Sequence, residues 1–166
     1  MSAILKEAPV DQLYENMYRL LASTPNQFVR YLYPHIHWES RMLGIVGPRG
    51  VGKTTLLLQH ILNSDQTNES LFVFADSMYF SEHTLFDTAE AFSKNGGTFL
   101  YIDEVHKYEG WSRELKAIYD SFPHLHVRFT GSSVLDIEKG EADLSRRAPK
   151  YHLQGLSFRE FLAMRH

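Results

Sequence analysis

One stretch, Gly47-Pro48-Arg49-Gly50-Val51-Gly52-Lys53-Thr54-Thr55, limits what this chain can fold into more than any other. Its spacing is Gly, four variable residues, then Gly-Lys-Thr, the pattern of a phosphate-binding P-loop. The apolar run Met42-Leu43-Gly44-Ile45-Val46 stands directly before it and reads as a buried strand. Leu56, Leu57, Leu58, Ile61 and Leu62 follow it and read as a helix with a wide apolar face. A polyphosphate needs backbone N–H groups that converge on it, and the start of a helix supplies unpaired ones together with a favourable dipole. Gly47, Gly50 and Gly52 let the backbone approach without a Cβ in the way. Lys53 is then expected to reach the β- and γ-phosphates, and the Thr54 hydroxyl to bind Mg²⁺. Residues 47 to 55 are the expected cradle of a nucleoside triphosphate.

The rest of the pattern alternates strands with helices. Leu71 to Ala75, Thr98 to Ile102 and His126 to Thr130 read as further buried strands, and Tyr151 to Leu153 as a short fifth. Leu85, Phe86, Ala89 and Phe92 mark one helix; Trp111, Leu115, Ile118, Tyr119 and Phe122 mark another. Such alternation implies parallel pairing and a sheet covered on both faces, with ligands at the carboxyl ends of the strands. The expected fold is therefore α/β, a three-layer P-loop nucleoside triphosphatase with a mostly parallel sheet of five strands.

Ahead of the loop, Val10, Leu13, Tyr14, Met17, Leu20 and Leu21 recur at helical spacing. Phe28, Val29, Leu32 and Tyr33 predict a second helix, ended by Pro34. These form an expected N-terminal helical extension over residues 1–38, with the nucleotide domain over 39–166. Tyr31, Tyr33 and Trp38 are candidates for an adenine contact, although core packing is the favoured reading for them. Ser157-Phe158-Arg159-Glu160 is a capping box that announces a helix just before the last residue, His166. So short a terminal helix has little stability alone, which leads us to expect the N-terminal part of a longer protein.

The second chemical motif is Phe99-Leu100-Tyr101-Ile102-Asp103-Glu104, an apolar strand that delivers two adjacent carboxylates. Asp103 is expected to hold Mg²⁺, directly or through its water shell, and Glu104 to polarise the water that attacks the γ-phosphate. A GTPase has no need of Glu104, and its Asn-Lys-x-Asp element is absent from the sequence. At the end of the fourth strand Ser132 is the favoured γ-phosphate sensor, with Thr130 and Ser133 as register alternatives.

Together the Gly-Pro-Arg-Gly-Val-Gly-Lys-Thr-Thr-Leu-Leu-Leu, Tyr-Ile-Asp-Glu-Val-His, Phe-Thr-Gly-Ser-Ser and Leu-Ser-Phe-Arg-Glu-Phe-Leu segments, with Trp111, Leu115, Lys116 and Asp120 between them, resemble one family. It is the prokaryotic AAA-type P-loop ATPases that usually carry a C-terminal domain of unknown function. The resemblance covers residues 40–162. It implies an ATPase using ATP and Mg²⁺, a further C-terminal domain and a possible homo-oligomer. The family's finger arginine, which stands shortly before the Ser-Phe-x-Glu-Phe helix, usually follows glycine. Arg147 holds that place here, but Arg146 precedes it. Which of the two acts on the γ-phosphate, and in which subunit, stays open.

Bulk properties exclude several classes. The net charge of -3 over 166 residues gives no global basic field for nucleic acid or an anionic membrane. There is no cysteine, so disulfides and thiolate metal sites are excluded, and no apolar run approaches a membrane span. No signal peptide opens the chain, which makes the cytoplasm the expected location. The nine histidines include His35-x-His37 and His124-x-His126, yet no carboxylates or further ligands complete a zinc set, and His106 is expected only as a neighbour of the acidic pair. Alternatives to an ATP-hydrolysing enzyme are a slow nucleotide-operated switch for a C-terminal partner domain and a small-molecule phosphotransferase.

Overall fold

The computed structural model describes residues 9–132 and 142–165. Five strands form one sheet: β1 (Met42–Val46), β2 (Ser70–Phe74), β3 (Phe99–Asp103), β4 (His126–Gly131) and β5 (Lys150–His152). Their order is β2-β3-β4-β1-β5, and every neighbouring pair is parallel. The helices are α1 (Pro9–Ser23), α2 (Lys53–Asn63), α3 (Leu85–Lys94), α4 (Trp111–Ser121), α5 (Ala142–Ser145) and α6 (Phe158–Met164). Among them none is long and apolar enough to cross a membrane.

Strand alternation divides the core in two. Leu71, Val73, Leu100, Ile102, Val127 and Phe129 face α3 and α4, where they meet Leu85, Ala89, Phe92, Leu115 and Ile118. Leu43, Ile45, Phe72 and Tyr101 face the other way, against Leu56, Leu57, Leu58 and Ile61 of α2. Both faces are buried, as an all-parallel sheet requires. The edge strand β2 is covered by α1, whose Leu13 joins the first cluster while Met17 and Leu21 join the second. A covered edge offers no unpaired backbone to other chains.

The second helix expected at Phe28 to Tyr33 does not form. Residues 26–32 are irregular, followed by one 3₁₀ turn at Tyr33–His35. Side chains capture the backbone groups a helix would use. Gln59 Nε2 donates to the carbonyls of Pro25 and Phe28, at 2.8 Å each. The Tyr31 N–H donates to a Glu160 carboxylate oxygen at 2.9 Å. Val29, Leu32, Tyr33 and Trp38 still pack on the α2-side core, so the apolar spacing marked burial and not a helix.

Two buried features serve the sheet. Trp38 stacks on His60 with ring centroids 3.7 Å apart, and the Tyr33 hydroxyl meets His60 Nδ1 at 2.9 Å. Burial, and then the nearby Arg128 cation, push the His60 imidazole down to about 4, so it stays neutral at physiological pH. No group of three or more potential metal ligands occurs among the described residues. In β1, a Cβ on Gly44 would stand 2.6 Å from the buried Phe129 ring. Gly44→Ala therefore overpacks the sheet and is expected to cost about 1–3 kcal/mol in urea unfolding. Phe129→Leu in the same chain should recover part of that loss.

Candidate nucleotide site

The loop 47–55 leaves β1 at the carboxyl edge of the sheet, between the ends of β4 and β5. Gly47 N–H donates to Gly131 O at 3.3 Å, and Leu153 N–H to Val46 O at 2.8 Å. A Cβ on Gly47 would stand 2.2 Å from the Leu153 carbonyl oxygen, so only glycine fits. Gly52 caps α2 with φ 100°, a left-handed conformation that other residues adopt only under strain. The chain then enters α2 at Lys53, which puts the loop at a helix N-terminus. Pro48, Arg49 and Gly50 are exposed, Val51, Gly52, Thr54 and Thr55 half-buried, and Lys53 buried.

Lys53 Nζ donates back to Gly47 O at 2.9 Å and Pro48 O at 2.7 Å. Burial lowers its pKa, and the carboxylates of Asp103 and Glu104 oppose that shift. Asp103, the last residue of β3, is 2% exposed. Its two oxygens accept from Thr54 Oγ1 at 2.8 Å and from Thr130 Oγ1 at 2.6 Å. Burial raises its pKa above the ordinary value, against the opposing pull of those two hydroxyls. A hydroxyl and a carboxylate side by side form an all-oxygen donor set, which suits Mg²⁺, a hard cation that takes few protein ligands.

Thr130, in β4, also accepts the Glu104 N–H at 2.8 Å. It thus orients both acidic residues, and its hydroxyl belongs to Asp103. Glu104 itself has φ 55° and ψ 51°. A left-handed glutamate is strained, and such strain gathers at functional sites. Its carboxylate pairs with Lys107 Nζ at 2.5 Å, which also contacts Asp76 at 3.0 Å. Ser132 N–H donates to His106 Nδ1 at 3.2 Å, which places His106 against the end of β4. Ser133 lies outside the described residues.

Arg147 does not join this group. It sits just before β5, at the amino-terminal edge of the sheet, with Nε 3.3 Å from Asp120 in the last turn of α4. Within its own chain it is on the far side of the sheet from the loop, and Arg146 is exposed. Tyr33 and Trp38 are at the C-terminal half of α2, beside His60, and so away from the loop as well.

The AAA domain family profile matches residues 39–162. The chain belongs to the AAA domain family. Domains of this family are nucleotide-binding modules of the ATPase type. A solved structure of PCH-2 from C. elegans resembles the chain with a TM-score of 0.49 at 20% identity, over 92% of this chain and 44% of that one. The chain thus spans less than half the length of that relative. No curated protein matches it.

Three site features escape sequence reasoning. A cavity of about 450 Å³ adjoins the loop, lined by Gln27, Phe28, Thr55, Gln59, Leu156 and Met164 among others. Arg30 lies at its wall with Nε 2.9 Å from Glu160 Oε1, Nη1 2.6 Å from Val51 O and Nη2 2.7 Å from Gln154 O. Glu160 does double duty, as third residue of the α6 capping box and as partner of Arg30. One trace is visible in the sequence: Arg30 is a lone charge within the otherwise apolar and aromatic run Phe28 to Tyr33. Burial alone would raise the Glu160 pKa, but Arg30 and the N–H groups of Ser157 and Tyr31 outweigh it and hold the carboxyl at about 2. This stabilisation is fully present above the ordinary carboxyl value and is lost as pH falls toward 2. It is on the order of 3 kcal/mol. Stability curves of the wild type and Glu160→Gln should therefore be well separated at pH 6 and converge near pH 2.

Proposed function

We propose that this AAA domain binds ATP at residues 47–55 and hydrolyses it with Mg²⁺, with residues 1–38 as an N-terminal extension, of which α1 packs against β2 of the 39–166 core. The reading is carried by the Thr54–Asp103 hydrogen bond of 2.8 Å beside Lys53. It joins the phosphate-binding loop to the acidic strand end across the width of β4.

In the mechanism, the loop N–H groups and Lys53 bind the phosphates, Lys53 leaving the carbonyls of Gly47 and Pro48 to do so. Thr54 and Asp103 would hold Mg²⁺, which when bound neutralises charge on the β- and γ-phosphate oxygens. Glu104 accepts a hydrogen bond from the attacking water and orients it. Ser132, at the end of β4, senses the γ-phosphate. The largely apolar cavity beside Phe28 suits a purine ring. Arg147 serves as a finger for a neighbouring copy, since its place beside Asp120 is remote from its own loop.

The Glu104–Lys107 ion pair favours a second reading, a slow nucleotide-operated switch. A glutamate held by a lysine must leave it before it can accept a hydrogen bond from water. Steady-state ATPase measurements separate the two. For an enzyme, the wild type turns over appreciably and Glu104→Gln loses that rate while still binding ATP. For a switch, both are equally slow, and Lys107→Met raises the wild-type rate. Lys53→Ala should abolish ATP binding in calorimetry, and unchanged affinity would refute the phosphate site itself. Arg147→Ala should bind ATP and hydrolyse it poorly. Mixing it with Lys53→Ala should restore activity, because each variant supplies what the other lacks.

A further inference from the structure

The strongest unassigned feature is the junction at Arg30. Its guanidinium, with its side chain 10% exposed, meets three separate pieces of chain. Nη1 donates to the Val51 carbonyl in the loop at 2.6 Å. Nη2 donates to the carbonyls of Gln154 and Gly155 after β5, at 2.7 and 3.3 Å. Nε and Nη2 reach the two carboxylate oxygens of Glu160 in α6, at 2.9 and 3.4 Å.

Two physical facts give this junction a direction. The first concerns the loop. No peptide bond of the described chain is cis, so the Val51–Gly52 unit is planar and trans. In such a unit the carbonyl and the following N–H point in opposite directions. Holding Val51 O on one side therefore turns the Gly52 N–H to the other. Gly52 is the residue least able to hold an orientation by itself, since glycine carries the greatest backbone freedom. The second concerns α6. Of its residues only Glu160 is buried; Phe158, Arg159, Phe161, Leu162, Ala163 and Met164 are all exposed. So the one buried side chain by which α6 is seated is a charged one, held by Arg30 and by backbone N–H groups.

We propose that Arg30 is a positioning residue for the phosphate site: it aims the Gly52 N–H at the phosphates by holding the Val51 carbonyl, and through Glu160 it makes that aim depend on α6 being docked. The inference rests on the nucleotide reading above. It makes α6 a part of the nucleotide site that touches no phosphate. A charge-assisted hydrogen bond of this kind holds the carbonyl more firmly than a neutral one, and its loss frees the peptide to rotate.

The test is a double-mutant cycle on affinity for MgADP, with Arg30→Gln, Glu160→Gln and the double variant, each first shown to be folded by its thermal transition. Each single variant should bind MgADP about tenfold more weakly, as loss of one such hydrogen bond implies. The double variant should be no weaker than Arg30→Gln, because both changes break one linkage. A purely structural role would not displace one loop amide selectively, so the ¹⁵N–¹H resonance of Gly52 is the second readout. It should shift in Arg30→Gln, shift in the same direction in Glu160→Gln, and respond less to added MgADP in both. Should Arg30→Gln fail to fold, Arg30→Lys, which keeps charge but loses the fork, takes its place in the cycle. Unchanged MgADP affinity in both single variants, fully additive losses, or an unmoved Gly52 resonance would each overturn the inference. A wild type that binds no MgADP would instead sink the nucleotide reading, and this inference with it.

Discussion

The structure turns on one buried carboxylate. Asp103 ends β3 at 2% exposure, in surroundings that disfavour its charge, and it is tolerable there because two hydroxyls complete it. One of those hydroxyls comes from α2 and the other from β4. A single group thereby fixes three elements at the carboxyl edge of the sheet, and Thr130 extends the fixation to Glu104 through its backbone N–H. A hydrophobic residue there would leave the hydroxyls of Thr54 and Thr130 without their acceptor, so the three polar groups depend on one another.

A second junction stands on the opposite flank of the loop. Where Asp103 gathers donors, Arg30 gathers acceptors: three carbonyls and a carboxylate from loop, strand end and terminal helix. The loop is thus gripped from both sides, by an anion that orders its helix start and a cation that orders its glycine-rich turn. Each grip is made by residues distant in sequence. That is how a stretch rich in glycine, with little conformational preference of its own, holds one shape.

This contrast also explains what could be read from the residues alone. The P-loop, the five strands and the Asp103-Glu104 pair were legible because each is local: apolar runs set the strands, and a short spacing sets the loop. Residues 28–33 misled because Val29, Leu32 and Tyr33 recur as a helix would have them, while the hydrogen bonds that decide their conformation come from Gln59 and Glu160. Glu160 read as a plain capping residue for the same reason; its second bond reaches across 130 positions. The place of Arg147 depended on which edge of the sheet β5 enters from, and that is a matter of topology with no local signature.

The exposed face of α6 has a thermodynamic consequence. Unfolding the sheet uncovers large apolar areas and so carries a large heat-capacity change, which curves its free energy with temperature. Lifting α6 from its seat uncovers a carboxylate and a guanidinium but less hydrocarbon than unfolding the sheet, since Phe158 is 75% exposed and Phe161, Leu162 and Met164 are 42–51% exposed. That local opening has a smaller heat-capacity change than global unfolding and a straighter dependence on temperature. The free energy of seating the helix therefore curves less with temperature than the stability of the core beneath it.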